Sequence, residues 1–506
     1  MPRDALEVTQ KAFAIFMIVG IGLLLATVVY PATMLTAKCF ESMPEGTTTA
    51  IDDARDTTGG FASSLFLRSA GLAALGATAA CVFALPGIRL VGGTVNARQF
   101  GLATSLIIAP LVLPPIVIGL GVRSWIRGVS EIRCVIVWGL WCWPIAALLV
   151  GGAWARRGHQ LYEVALLHGG KFKAFKSVLG SVLVRPIVGV WMLMFALFLG
   201  DYSVPHSCDM IAYATALLSE ATSSPYPVAT VIAGFPLLAP MLVAVVVAYL
   251  VGGRAEASDQ DEPTKAQAGF PRVTFALVLA MITVSTLLPT YGLIRNIALI
   301  KAIATTWELY RSDIAYSLAT AFIAGLMIVW MGICVTAIAP IRRIAPLLVL
   351  VWAVVPGALV GQAVVAAYLP FDVIYSHWML TVIGYVARFG WIGVLLAYVV
   401  VKQSDEATMG AAMVDGASTG FATCRVTFAN HWPTMCAGVL IATAMSLAEI
   451  ATTTLVRVPV FSPVSLVLIE KFHRFEDDIL AAICILLLVV ACPGIAIFSL
   501  ASRWGR

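Results

Sequence analysis

Charge is what this sequence has least of. Asp, Glu, Lys and Arg make up 12% of 506 residues, against 60% hydrophobic residues and a mean hydropathy of +0.95. Soluble domains carry roughly a quarter charged residues, so an ordinary water-soluble fold is excluded. Histidine is also sparse, and the six present form no ligand cluster. The ten cysteines lie singly, most of them inside apolar runs, with no Cys-x-x-Cys pair and no metal-ligand spacing. They read as small buried hydrophobes. The His206-Ser207-Cys208-Asp209 stretch carries three possible metal ligands, but its composition is ordinary for a loop and a metal site is not expected there. No Gly-x-x-x-x-Gly-Lys-Ser/Thr loop occurs, and Gly169-Gly170-Lys171 lacks both the spacing and the hydroxyl that cradle nucleotide phosphates. The chain is therefore not expected to hydrolyse ATP, and clustered nucleophiles of the kind a membrane-embedded enzyme needs are missing from its apolar runs.

What the sequence does have is long apolar segments. About 20 apolar residues are needed to cross a bilayer core, and about twelve such runs are legible: 11–37, 63–85, 100–122, 133–155, 181–200, 228–252, 273–292, 313–338, 346–369, 378–401, 434–452 and 479–500. An all-α, polytopic membrane protein is the expected fold class. The first run is too long for the 7–15-residue core of a secretory signal, so it reads as a span. With the N-terminus inside, inner segments collect about 19 Lys and Arg and outer ones about 11, as the positive-inside rule requires. Arg123, Arg127 and Arg133, around a short outer loop, run against that rule. Both termini are expected on the cytoplasmic side, and no outer loop exceeds about 30 residues, too few for a domain that closes around a solute. Trp125, Trp138, Trp141 and Trp143 read as an interfacial aromatic belt.

The two halves match in order. Ser69 corresponds to Ser317, Pro114 and Gly119 to Pro356 and Gly361, Gly169 to Gly416, and Asp201 to Glu449, at offsets of about 242 to 248 residues. That is the signature of one unit duplicated in parallel and fused, six spans in each copy. The expected organisation is a first half over 1–252, a polar glycine-bounded linker over 253–271 and a second half over 272–506. Pro114 with Gly119, and Pro356 with Gly361, sit in the third span of each half. Proline frees a carbonyl there and glycine permits close helix approach, so the pairs are either packing features or gating hinges.

Between spans lie two stretches built to bend, within 156–186 and 402–433. The second runs Gly410-Ala411-Ala412-Met413-Val414-Asp415-Gly416-Ala417-Ser418, small residues ahead of a glycine that lets a short helix stop, turn and restart. The first runs Glu163-Val164-Ala165-Leu166-Leu167-His168-Gly169-Gly170. Both resemble the EAA coupling loop of bacterial binding-protein-dependent ABC importers. The first copy keeps the glutamate but has Val164 and His168 where that family favours alanine and aspartate; the second keeps both alanines, Asp415 and Gly416 but has Gly410 for the glutamate. The basic residues Lys171, Lys173 and Lys176 beside Phe172 and Phe175 also suit a helix lying on the inner leaflet.

A second likeness lies in the last third. Glu449-Ile450-Ala451-Thr452-Thr453-Thr454-Leu455-Val456-Arg457-Val458-Pro459 is similar to a segment of fused ferric-iron permeases, and Arg388-Phe389 to the Arg-Phe pair of the same group. The resemblance implies two pseudo-symmetric six-helix permease units of the type I ABC importer fold in a bacterial inner membrane. It implies a translocation pathway coupled to two copies of a separate ATP-binding subunit, with a periplasmic or extracellular solute-binding protein delivering the cargo. No cofactor and no nucleic acid is expected on the chain itself. Glu163, Ala165, Gly169, Gly170, Ala411, Ala412, Asp415 and Gly416 would carry the ATPase contact. Iron(III) is the implied substrate, with thiamine, polyamines and phosphonates as alternatives and an ion-coupled secondary transporter as the principal rival. Asp201 and Glu449 read either as a carboxylate pair lining the path or as helix-end anchors paired with Arg68, Arg388 or Arg457, since an unpaired charge inside the bilayer costs roughly 2.5–3.5 kcal/mol.

Overall fold

A computed structural model describes residues 3–41, 61–92, 107–108, 110–111, 113–154, 161, 164–167, 170, 173, 176–177, 179–223, 227–256, 272–295, 298–402 and 406–489. Among these the regular structure is helical, with no strand. α1 begins as Arg3–Leu24, passes through a π-helical turn at Leu25–Val29 and forms the span Phe13–Glu41. α2 (Phe61–Phe83), α3 (Leu85–Gly92), α4 (Pro115–Arg123), α5 (Ser130–Ala153), α6 (Val184–Leu199), α7 (Ser203–Ser207), α8 (Tyr213–Ser223) and α9 (Pro227–Glu256) follow. α10 is the span Arg272–Ile294, again with a π-helical turn, Thr283–Leu287. Then come α11 (Leu299–Ala337), α12 (Ala339–Val354), α13 (Gly357–Tyr368), α14 (Asp372–Tyr375) and α15 (Trp378–Lys402). α16 (Glu406–Val414), α17 (Thr419–Ala422), α18 (Trp432–Ala448), α19 (Ala451–Val456), α20 (Val464–His473) and a helix over 477–489 are the last among the described residues.

Seven helices among the described residues are long and apolar enough to cross a membrane, eight if α12 and α13 are taken as one bent span. This is the architecture of an all-α, multi-pass membrane protein. The expected spans at 181–200 and 434–452 coincide with two shorter apolar helices, α6 and α18. Those at 100–122 and 479–500 lie partly outside the described residues, as does most of the linker, although α9 continues through Glu256, past its expected end at Gly252. α11 has 39 residues and starts well before the expected 313. At 1.5 Å per residue it is about 58 Å long and must project beyond a hydrocarbon core of about 30 Å.

The expected continuous span at 346–369 is corrected: α12 and α13 meet at 95°. Val355 and Pro356 are both extended, with ψ of 124° and 140°, because a proline ring disfavours the helical conformation of the residue before it. Pro114 caps α4 with the same backbone, ψ 132°. The aromatic-belt expectation is also corrected for two of its members. Trp138 and Trp143 are fully buried in protein. Trp138 stacks on Phe198 with ring centroids 5.1 Å apart, and the place of a β-carbon on Gly76 is taken by the Trp138 ring. The alanine stripe Ala73, Ala77 and Ala80 on α2, continued by Ala84 just past its end, lets α5 approach closely, the usual substitute for hydrophobic driving force inside a membrane.

The first helix of each half packs mainly on the other half. α1 lies along α11 and α15, and Tyr30 and Tyr368 exchange hydrogen bonds with the carbonyls of Ala367 and Ala26 at 3.3 and 2.8 Å. α10 lies along α3 and α4. The Trp125 indole donates to the Leu288 carbonyl at 3.1 Å and Arg295 to that of Ser124 at 2.9 Å. The two π-helical turns carry matching buried hydroxyls: Thr27 donates to the Leu23 carbonyl and Ser285 to that of Met281, each at 2.7 Å.

Candidate functional site

Three contacts recur at equivalent places in the two halves and fix the ends of the spans. The Ser69 hydroxyl accepts the backbone N–H of Tyr213, the first residue of α8, at 2.9 Å; the Ser317 hydroxyl accepts that of Val464, the first residue of α20, also at 2.9 Å. Each serine thus satisfies one of the orphan donors at a helix start. Arg133 on α5 donates to the Cys208 carbonyl at 2.9 Å, and Thr381 on α15 to the Val456 carbonyl at 3.2 Å. The third contact joins the paired carboxylates to the helices that follow them.

The Asp201 carboxylate accepts the N–H groups of Ser203 and Val204 at 3.0 and 3.2 Å and the Trp138 indole N–H at 2.8 Å. Glu449 accepts the N–H of Thr452 at 2.9 Å, at the start of α19. Arg388 Nε lies 3.8 Å from Glu449 Oε2, and its Nη1 donates to the Val355 carbonyl at 2.6 Å. Arg388 therefore reaches both the carbonyl freed at the Pro356 break and the carboxylate beside it. Arg68 pairs with Glu131, and Arg457 is exposed. Two of the three cations that run against the charge rule are accounted for locally. Arg123 and the buried Arg133 both lie 3.3 Å from Asp209, and Arg123 also sits over the Phe472 ring at 5.0 Å. Among the described residues no group of three or more His, Cys, Asp or Glu is placed to hold a metal ion.

The proline and glycine pairs mark close crossings. A β-carbon on Gly119 would meet Ser207 of α7, and one on Gly361 would meet Leu455 of α19 at 2.8 Å. α4 thus lies against α7 as α13 lies against α19, each in reach of a carboxylate-capped short helix.

Between these short helices and the ones that follow is an open cavity of about 800 Å3, lined from α7, α8, α19 and α20. Counting from the residues anchored by Ser69 and Ser317, most of its lining falls at equivalent positions. Ile211 answers to Ser462, Thr215 to Leu466, Leu218 to Ile469 and Ser219 to Glu470; counting from Asp201 and Glu449, His206 answers to Thr454. Five pairs of equivalent positions thus line one cavity. Tyr202, Glu220, Thr222 and Arg457 complete its polar lining, and Asp201, Glu449 and Arg388 do not reach it. Sequence reasoning missed this cavity, because the residues that answer to one another across it share no identity.

The second bend is built as an elbow. α16 ends in a Schellman turn: the N–H of Gly416 bonds to the Met413 carbonyl at 3.0 Å and that of Ala417 to the Ala412 carbonyl at 3.1 Å. Gly416 has φ +91°, the left-handed conformation that only glycine takes without steric cost. Ser418 then caps α17, its hydroxyl accepting the Phe421 N–H at 3.4 Å. The second arm is held to α1 by an edge-on contact of Phe421 with Phe13, centroids 5.6 Å apart. Ala411, Asp415 and Gly416 are exposed and Ala412 half-buried, while Val414 stands 88% exposed at the tip. In the first bend Glu163 and Gly169 lie outside the described residues. Ala165 is half-buried, Leu167 is 85% exposed, and the described glycine with a left-handed backbone is Gly170, φ +74°.

No family model, curated protein or solved structure matches this chain.

Proposed function

We propose that the chain is the membrane-spanning permease of an ATP-binding-cassette importer, two six-helix units in one polypeptide, working in a bacterial inner membrane with both termini in the cytoplasm. The observation that carries the reading is the cavity lined by matching positions of α7 with α19 and of α8 with α20, since transporters built from repeats place the solute at the interface between them. The elbow at Gly416 supplies what such a cavity needs in order to open and close, an exposed, bent, apolar-tipped segment, with the stretch that carries exposed Leu167 and left-handed Gly170 as its counterpart; two separate ATPase subunits hold and push them. A solute-binding protein outside the membrane selects the cargo. Iron(III) remains the proposed substrate from the resemblance at Glu449 to Pro459, and the hydroxyls and carboxylates of Ser219, Glu220, Thr454 and Glu470 suit a polar cation.

The test is uptake into membrane vesicles alongside ATP hydrolysis by the associated ATPase. Gly416→Trp strains the left-handed turn and blocks the elbow, so hydrolysis should continue while uptake falls to background. Uptake equal to that of the unmodified chain would remove the coupling role from this segment.

A further inference from the structure

A second pocket, of about 620 Å3, lies between the start of α12, the last turns of α15 and α16. Its lining is divided by chemistry. Arg342, Arg343 and Lys402 supply positive charge, while Tyr398, Met409 and Met413 supply an apolar wall. No acidic side chain is found among the described residues that line it. Among those residues neither arginine makes an ion pair, and the Lys402 ammonium lies 5.9 Å from the centroid of the Tyr398 ring. Three like charges with no counter-ion among the described residues repel one another, and the N-terminus of α12 adds its own partial positive charge. The pocket is thus built to be completed by an anion.

Its position says what carries that anion. The span Trp378–Lys402 ends here and the bent span starting at Pro340 begins here, which puts the pocket at the level of a membrane surface. Leu395, Val399 and Lys402 follow at steps of four and three, so they share one face of α15, and both apolar members of that face are exposed. α12 exposes Ile344 and Leu348, one turn apart. Apolar tracks therefore lead from the cations toward the hydrocarbon, the layout of an amphiphile with its head in the pocket and its tail along the helices.

We infer that this pocket binds the headgroup of an anionic phospholipid, with the phosphodiester between Arg342, Arg343 and Lys402 and the root of an acyl chain against Met409 and Met413. Guanidinium groups match phosphate oxygens by two-pronged hydrogen bonding, and basic pockets at the ends of spans complement anionic leaflets. The inference does not rest on the importer reading; it needs only that α12 and α15 end at a membrane surface. Met409, Gly410 and Met413 belong to α16, so an occupied pocket bears on the first arm of the elbow.

The experiment is native mass spectrometry of the full chain in detergent, with phosphatidylglycerol or phosphatidylcholine of the same acyl chains added, and inorganic phosphate in a separate arm. The expected result is retention of phosphatidylglycerol about tenfold above phosphatidylcholine, lost in the combined variant R342Q/R343Q/K402Q and kept in K301Q/R311Q, which removes two exposed cations on α11. Equal retention by the combined variant, or an equal loss in the control, would overturn it. Competition by inorganic phosphate as strong as that by the lipid would assign the pocket to a free anion instead. A photoactivatable phosphatidylglycerol on the unmodified chain needs no substitution: adducts are expected on the peptides carrying 342–348 and 398–413, and adducts confined to other peptides refute the assignment.

Discussion

Arg388 holds the carbonyl of Val355 at 2.6 Å, across the point where α12 gives way to α13. Pro356 has no N–H, and the extended backbone around it leaves a carbonyl without a helical partner inside the protein. A side chain from α15 supplies the missing donor and, with its Nε, lies at ion-pair distance from Glu449, itself 12% exposed. The break is stabilised from outside the helix it interrupts.

Removing that side chain should cost more than neutralising its partner. Arg388→Ala leaves a buried carboxylate without a counter-charge, an effect of about 3–5 kcal/mol. Glu449→Gln leaves the Arg388 guanidinium without its counter-charge, but that group keeps the Val355 carbonyl and the glutamine oxygen still accepts the Thr452 N–H, so the cost should be smaller, about 1–3 kcal/mol. Thermal unfolding of the purified chain in detergent compares the two, and equal losses would deny Arg388 its second role at the Val355 carbonyl.

The matched serines give a paired measurement. Ser69→Ala and Ser317→Ala each strand one buried N–H, of Tyr213 and of Val464, at about 1–3 kcal/mol apiece. The sites share no partner, so the double variant should show the sum of the two losses. A loss from only one of them would mean that the halves are not held alike.

Small residues at the crossings are expected to be irreplaceable without a compensating change. Gly119→Ala and Gly361→Ala overpack the α4/α7 and α13/α19 contacts by about 1–3 kcal/mol each. Ser207→Gly should restore the first, because the obstruction is that side chain alone. Leu455→Ala should restore the second only in part, since the Thr452 carbonyl also stands 3.3 Å from the added carbon. Melting temperatures of the single and double variants decide it.

If the cavity is a water-filled path, cysteines placed on its two matching walls should react with a charged, membrane-impermeant thiol reagent. Ser219→Cys and Glu470→Cys are expected to label, in a background where the exposed Cys436 is alanine, and Ala196→Cys, fully buried, is not. Mass shifts of the intact protein report the outcome; protection of both wall positions would close the path.

What the sequence disclosed depended on whether a physical role demanded a particular residue type. A left-handed turn demands glycine, so the elbow at Gly416 was legible, and a helix start demands an acceptor, so Ser69 with Ser317 and Asp201 with Glu449 could be paired by position alone. The cavity walls make no such demand. Thr215 and Leu466, or Ser219 and Glu470, occupy corresponding places with unlike chemistry, and nothing in the chain flags them until backbone contacts fix the register. The bend at Pro356 was hidden for a different reason: proline allows anything from a mild kink to a sharp corner, and the carbonyl exposed at this corner is held by Arg388 on another helix. Trp138 and Trp143 look alike to an interfacial girdle in composition, and only the packing of α2 against α5 shows them enclosed.

The exchange of opening helices between halves has a consequence for biogenesis. α1 leaves the ribosome well before the helices it rests on, α11 and α15, which are made only after α2 to α10. It must wait in lipid with its contact face unfilled, while the first unit in turn stays open until α10 arrives to close it. Neither the helices before α10 nor those after it can mature alone, so assembly is a single interlocked event within one chain.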